Sequence, residues 1–145
     1  SWLAFICHVI KINMDLEVLS IAANTDNNRN IENRTHVSKL KNSVCGDEMQ
    51  IELILKNEKI LDFGYLGKSC VYCQASASLL SKISINNQKE KINALCDMAE
   101  LYFNDDVKIT DKKWNSLKKL IKKKNINKKD CILLPFKTLK KIVSN

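Results

Sequence analysis

"MQIELILKNEKILDFGYLGKSCVYCQASASLL", residues 49–80, holds two kinds of periodicity in one short run. Met49, Ile51, Leu53 and Leu55 alternate with other residues, as the inward face of a half-buried strand requires. Asn57-Glu58 makes a short turn, and "KILDFGYL" returns as a second strand. Two runs joined so tightly predict a hairpin. After Cys70 the texture changes to "VYCQASASLLSKIS", where Leu79, Leu80 and Ile83 recur at helical spacing.

Working outward, "THVSKL" before the hairpin can supply a third strand. "MDLEVLSIAA", residues 14–23, places Leu16, Leu19 and Ala23 on one helical stripe, and an Asn-rich polar loop follows it. Beyond the hairpin, residues 87–103 put Ile92, Leu95, Cys96, Ala99, Tyr102 and Phe103 on one helix face. Asp111 is placed to cap a helix carrying Trp114, Leu117, Leu120 and Ile121. Pro135 belongs in or near a first helical turn, so the last helix should start close to Cys131. The order is a helix, three strands, then several helices. It predicts an α+β domain, a small antiparallel three-stranded sheet packed against several helices.

The 145 residues suit one domain with a hydrophobic core. Residues 1–13 are expected as an N-terminal extension and residues 14–145 as the domain itself. The run Trp2 to Ile10 is apolar but far short of the ~20 residues that span a bilayer. It has neither the basic lead nor the small-residue cleavage site of a signal peptide. Six cysteines without a secretory signal point to metal, sulfur chemistry or burial in a reducing, cytoplasmic setting rather than to disulfides. The net charge is +8, concentrated in "KKWNSLKKLIKKKNINKK", residues 112–129. No helix-turn-helix, zinc-finger spacing or aromatic platform accompanies it, so nucleic acid is not the expected partner. The stretch is either a solvated face or a docking surface for an acidic protein.

Candidate chemistry gathers at the junctions between elements. Cys45-Gly46-Asp47 stands at the mouth of a strand, where a thiolate and a carboxylate can meet one metal if the chain turns between them. Cys70 stands before a helix, whose N-terminus favours a thiolate, and Lys68 pushes the same way. Cys131 also precedes a helix. Three cysteines and an aspartate form an S₃O set suited to zinc or an iron centre. The Cys70-x-x-Cys73 pair could be a redox dithiol, half of a zinc site, or one ligand with a cysteine neighbour. A thioredoxin-like dithiol would follow the buried central strand of a βαβ unit, and that pattern is missing here. Cys96 reads as a buried small hydrophobe, Ser76 and Ser78 as packing residues, and His36 as a residue without a metal role.

"CGDEMQIEL", "ILDFGYLGKSCVYCQASASLL" and "DCILLPFKTL" together resemble the three signatures of the IscU/SufU/NifU-type iron–sulfur cluster assembly scaffold family. The resemblance runs from about residue 15 to residue 143. It implies that Cys45, Asp47, Cys70 and Cys131 hold a nascent [2Fe–2S] cluster or a zinc ion, and that one cysteine takes sulfane sulfur from a cysteine desulfurase of the SufS, IscS or NifS type. Apo iron–sulfur proteins would receive the product, and a weak homodimer is left open. The position of Cys73 is usually a small polar residue in the family, which makes the Cys-x-x-C incidental and Cys70 the ligand.

Ser69 departs from the family's usual glycine, a change that is tolerated if the position needs no positive φ. The chaperone-linked branch carries Leu-Pro-Pro-Val-Lys and a histidine before its third cysteine. This chain has "INKKDC", with Asp130 in the histidine's place as an alternative ligand. The ending "CILLPFKTL" and Lys128 are closer to the SufU branch, whose members are zinc-bound sulfur acceptors as well as scaffolds. Cys131, after a lysine-rich segment expected to be flexible, is the candidate persulfide acceptor. A zinc-dependent sulfurtransferase and a basic domain with structural zinc are the alternatives to a scaffold.

Overall fold

The computed structural model describes residues 2–4 and 16–145. Cys7, Met14 and most of the expected N-terminal extension lie outside them. The elements in chain order are α1 (Leu16–Ala23), β1 (His36–Lys41), β2 (Glu48–Lys56), β3 (Lys59–Leu66), α2 (Val71–Ser84) and α3 (Lys89–Asp105). Two 3₁₀ stretches follow, Lys112–Lys119 and Lys123–Lys128, and then α4 (Lys129–Val143).

The strands form one antiparallel sheet in the order β1-β2-β3, as the alternation predicts. The register sets Ile51 opposite Tyr65 and Leu53 opposite Phe63, and all four are buried. Asn57 and Glu58 both take positive φ, 54° and 64°, the geometry of the two-residue hairpin turn that matches strand twist. One face of the sheet packs against α2 and α4.

The other face is covered by the loop after α1. Glu52 and Gly64 are paired across the strands. A Cβ on Gly64 would stand 2.3 Å from the Arg29 carbonyl oxygen, so only glycine lets the loop approach. Beneath that loop Glu52 is buried, taking hydrogen bonds from Ile31 N–H at 3.1 Å and Gln50 Nε2 at 2.9 Å, with Arg34 Nη1 at 3.1 Å. Burial alone would raise the pKa of Glu52. The Ile31, Arg34 and Gln50 donors outweigh it and hold the carboxyl below its ordinary value.

Helix α2 begins at Val71 and is buried along much of its length through Ala75, Ser76, Ala77, Ser78, Leu80 and Ser81. Small residues let neighbouring backbone come close, and each buried serine hydroxyl in the middle of the helix has a partner. Ser76 Oγ donates to the Ile132 carbonyl of α4 at 2.6 Å, and Ser78 Oγ to the Asn24 carbonyl at 2.9 Å. Ser76 and Ser78 are therefore packing residues whose donors are already engaged.

Several sequence expectations change. In α1 the buried residue is Val18, with Ile21 and Ala22 half-buried, while Leu16 and Leu19 are exposed. The apolar spacing of a short helix supported two stripes, and packing on α2 selects the other one. Asp111 does cap, accepting from Lys113 N–H at 2.9 Å, but the segment it opens is 3₁₀ rather than α. The lysine-rich segment before Cys131 is anchored instead of loose. Asn125 within it is buried and donates from Nδ2 to the Leu120 carbonyl at 2.9 Å. Helix α4 starts at Lys129, which puts Pro135 in its second turn. Proline has no N–H, so the Cys131 carbonyl loses its usual helical partner four residues on. Burial of Ile132, Leu133, Leu134, Phe136 and Leu139 keeps the helix continuous through the proline.

Candidate metal centre

The first ligand-bearing segment is the tight loop between β1 and β2. Asn42 organises it: Oδ1 accepts from Val44 N–H at 2.8 Å and from Cys45 N–H at 3.4 Å. The Asn42 carbonyl accepts from Gly46 N–H, and Asn42 N–H reaches the Asp47 carbonyl, both at 2.8 Å. Gly46 takes φ 77°, which turns the chain between Cys45 and Asp47 as the sequence required. Cys45 is exposed and Asp47 is buried.

The second segment is the bend from β3 into α2. Gly67 lies so close to the start of β2 that a Cβ would be 2.1 Å from the Glu48 carbonyl oxygen. Glu48 N–H bonds to the Lys68 carbonyl at 2.9 Å, fastening the bend beside Asp47. Cys70 is the N-cap residue of α2, in extended conformation, and its side chain makes no capping bond. Ser69 is not among the positive-φ residues, so its replacement of glycine carries no backbone strain. The third segment is the first turn of α4, which carries Cys131. The Ser76–Ile132 bond ties that turn to α2.

These segments converge. The Sγ atoms of Cys45 and Cys131 and a carboxylate oxygen of Asp47 all lie within 4.8 Å of one another. Cys70 is not in that group, but it is near enough for its thiol to act on the pKa of Cys131. Three of the four residues singled out in the sequence therefore meet in one place, although they are separated by up to 86 positions, with Cys70 beside them. Burial pushes the Cys131 thiol up, and the Cys70 thiol, Cys45 and Asp47 push it further, so without a cation it stays protonated.

Asp47 supplies the test of fit. Its Oδ2 is buried with no hydrogen-bond partner. A buried carboxylate oxygen without a donor is costly unless a cation reaches it. Soft thiolates beside it suit zinc or iron. The residues present thus fit a metal ion or a small cluster.

Asp130 is exposed and stands outside the cluster, lining a shallow groove with Val44, Leu134 and Lys137. Cys96 is buried in the core near Asp97 and Glu100, and its pKa is raised by that burial. His36 is exposed, paired through Nδ1 with Thr35 Oγ1 at 2.8 Å. Cys73 is fully buried and feels the charges of Asp47, Cys70 and Cys45. Burial is the main cause of a pKa pushed up to about 12. Sequence reasoning did not pick out Asn42 or Gly67. An asparagine three residues before the first cysteine is the signal of a local side-chain turn. The glycine three before the second is the signal of a close approach.

Residues 14–102 match the model of the NifU-like N terminal domain. The chain belongs to that family. A Borreliella burgdorferi protein named only as uncharacterized is 31% identical over 114 residues, which is 79% of each chain. The Thermotoga maritima iron–sulfur cluster assembly scaffold protein IscU is 34% identical over 70 residues, covering 48% of this chain and 49% of that one. Among solved structures, a putative iron–sulfur cluster assembly scaffold protein for the SUF system from Fervidobacterium islandicum AW-1 superposes with a TM-score of 0.81 at 23% identity. That superposition covers 88% of this chain and 93% of the other. At that identity it establishes the shared NifU-like fold alone. No helix among the described residues is long and apolar enough to cross a membrane.

Proposed function

We propose that this NifU-like domain is an iron–sulfur cluster assembly scaffold. It accepts sulfur from a cysteine desulfurase, holds a labile [2Fe–2S] cluster or metal ion on Cys45, Asp47, Cys70 and Cys131, and passes it to apo-proteins. The observation that carries the reading is the partnerless Asp47 Oδ2 beside converging thiols. A structural site is usually closed by cysteine or histidine alone. One hard carboxylate among soft ligands, with Cys45 exposed at the rim, suits a cargo that must leave.

Sulfur has to arrive on a thiol that the desulfurase can reach. Cys131 was the expectation, but it is buried in an anchored turn and protonated, whereas Cys45 is exposed. Exposure favours Cys45 for first contact, with Cys131 receiving sulfur across the cluster. The zinc-dependent sulfur acceptor of the SufU type is the second reading. It is supported by the same set, since three thiolates and a carboxylate complete a tetrahedral zinc site.

Metal and sulfide analysis of protein purified without air tests both. Iron with acid-labile sulfide supports the scaffold, and zinc near one per chain supports the sulfur acceptor. Neither metal, under conditions where the chain is folded, overturns both. Mapping of persulfides after incubation with a desulfurase and cysteine would locate the receiving thiol.

A further inference from the structure

We propose that Cys73 is a resolving thiol, which releases sulfane sulfur carried by Cys70 as sulfide and closes a Cys70–Cys73 disulfide. The inference rests on the sulfur-accepting reading above and adds an activity to it. A persulfide delivers sulfur at the oxidation level of the element, whereas a cluster contains sulfide, so two electrons must be supplied. A pair of thiols supplies two.

The arrangement favours this pair. Cys70 caps α2 and Cys73 is three residues on, positions that share a helix face. Cys70 makes no capping bond, so its sulfur is not committed to the helix. Cys131 stands within 4.8 Å of Cys45 and feels Cys70 electrostatically, so Cys70 lies inward of the exposed rim and beside the cluster. Cys73 has 0% exposure, so thiols in solution cannot reach it and its reaction partners are its neighbours. The Gln74–Ser69 bond across the same turn fixes the backbone that carries both thiols.

The step balances. Cys73 Sγ attacks Cys70 Sγ, forming the bond between them and breaking the bond from Cys70 Sγ to the sulfane sulfur. The sulfane sulfur leaves with the bonding pair as hydrosulfide and takes the Cys73 proton, giving hydrogen sulfide. The two cysteines are oxidised to a disulfide and the sulfane sulfur is reduced. An external dithiol then restores the pair for another cycle.

The test loads the full chain with inorganic polysulfide without air, removes the excess, and follows released sulfide and the Cys70–Cys73 peptide by mass spectrometry. Wild-type protein should lose its persulfide as sulfide and disulfide rise together in equal amounts. Cys73→Ser and Cys73→Ala should hold the persulfide at least about tenfold longer. Equal release from both variants, or release from wild type without the disulfide, overturns the proposal. So does failure of polysulfide to load the chain. Metal binding by the same samples reports on the scaffold reading separately. Variants that bind metal normally while releasing sulfide at the wild-type rate remove only the resolving role.

Discussion

Ser69 Oγ accepts a hydrogen bond from Gln74 Nε2 at 2.7 Å, across the first turn of α2. The turn that this bond braces contains Cys73, so two departures from the family pattern, Ser69 and Cys73, fall in one short stretch. Ser69→Gly should leave metal binding intact and loosen Cys73, seen as faster alkylation of that thiol by a small reagent. Alkylation unchanged from wild type would show that Ser69 does not hold it.

The ligand set predicts a sharp division among the cysteines. Cys45→Ser, Cys70→Ser and Cys131→Ser should each abolish tight metal binding, because an incomplete set of soft ligands remains. Cys73→Ser and Cys96→Ser should retain it. Metal content per folded chain, measured after gel filtration, reads the difference. Loss of metal in the Cys96 variant equal to that in the Cys70 variant would break the assignment.

Asp47 predicts opposite signs for stability and for cargo. In the metal-free chain its buried Oδ2 has no partner, a situation that costs about 1–3 kcal/mol. Asp47→Ala should therefore leave the thermal midpoint of metal-free protein unchanged or higher. The same substitution should change the rate at which cargo passes to a chelator. A large fall in midpoint would mean that Asp47 serves the fold.

The two glycines of the centre should respond differently. Gly46→Ala meets no atom within 4 Å and pays only for its positive φ, about 1 kcal/mol. Gly67→Ala would push a Cβ into the backbone of Glu48 at 2.1 Å, and the bend carrying Cys70 must move away from Asp47. Urea midpoints should fall more for Gly67→Ala, and metal affinity should fall with them.

Glu52 predicts an acid limit to stability. Its folded pKa is lowered, so its contribution is complete above the unfolded value of about 4.3 and is lost as pH falls through the folded value. Denaturation curves across the acid range should steepen in that window. Glu52→Gln should remove this part of the dependence.

Legibility in the sequence followed the strength of the local signal. Met49, Ile51 and Leu53 alternate cleanly, and the hairpin lies where they placed it. Cys45, Asp47 and Cys131, singled out by their place at element junctions and by the family resemblance, lie together, whereas Cys70 is not in that group. Leu16 and Leu19 misled because eight residues of helix carry two apolar stripes, and only tertiary contact chooses between them. Pro135 put the start of the last helix close to Cys131, and α4 begins two residues earlier, at Lys129, where its buried face holds the helix together through the proline. The role of Asn42 is invisible to hydrophobic periodicity altogether, since it acts through its own loop.

Pro135 also gives α4 two thermodynamic parts. The missing ladder bond falls at the Cys131 carbonyl, so the opening turn is joined to the rest of the helix by one hydrogen bond fewer than its length would supply. Contacts to other elements take over there: the Ser76–Ile132 bond and the burial of Ile132, Leu133 and Leu134 hold the turn that carries Cys131. The position of the third cysteine is therefore set by α2 as much as by the helix to which it belongs.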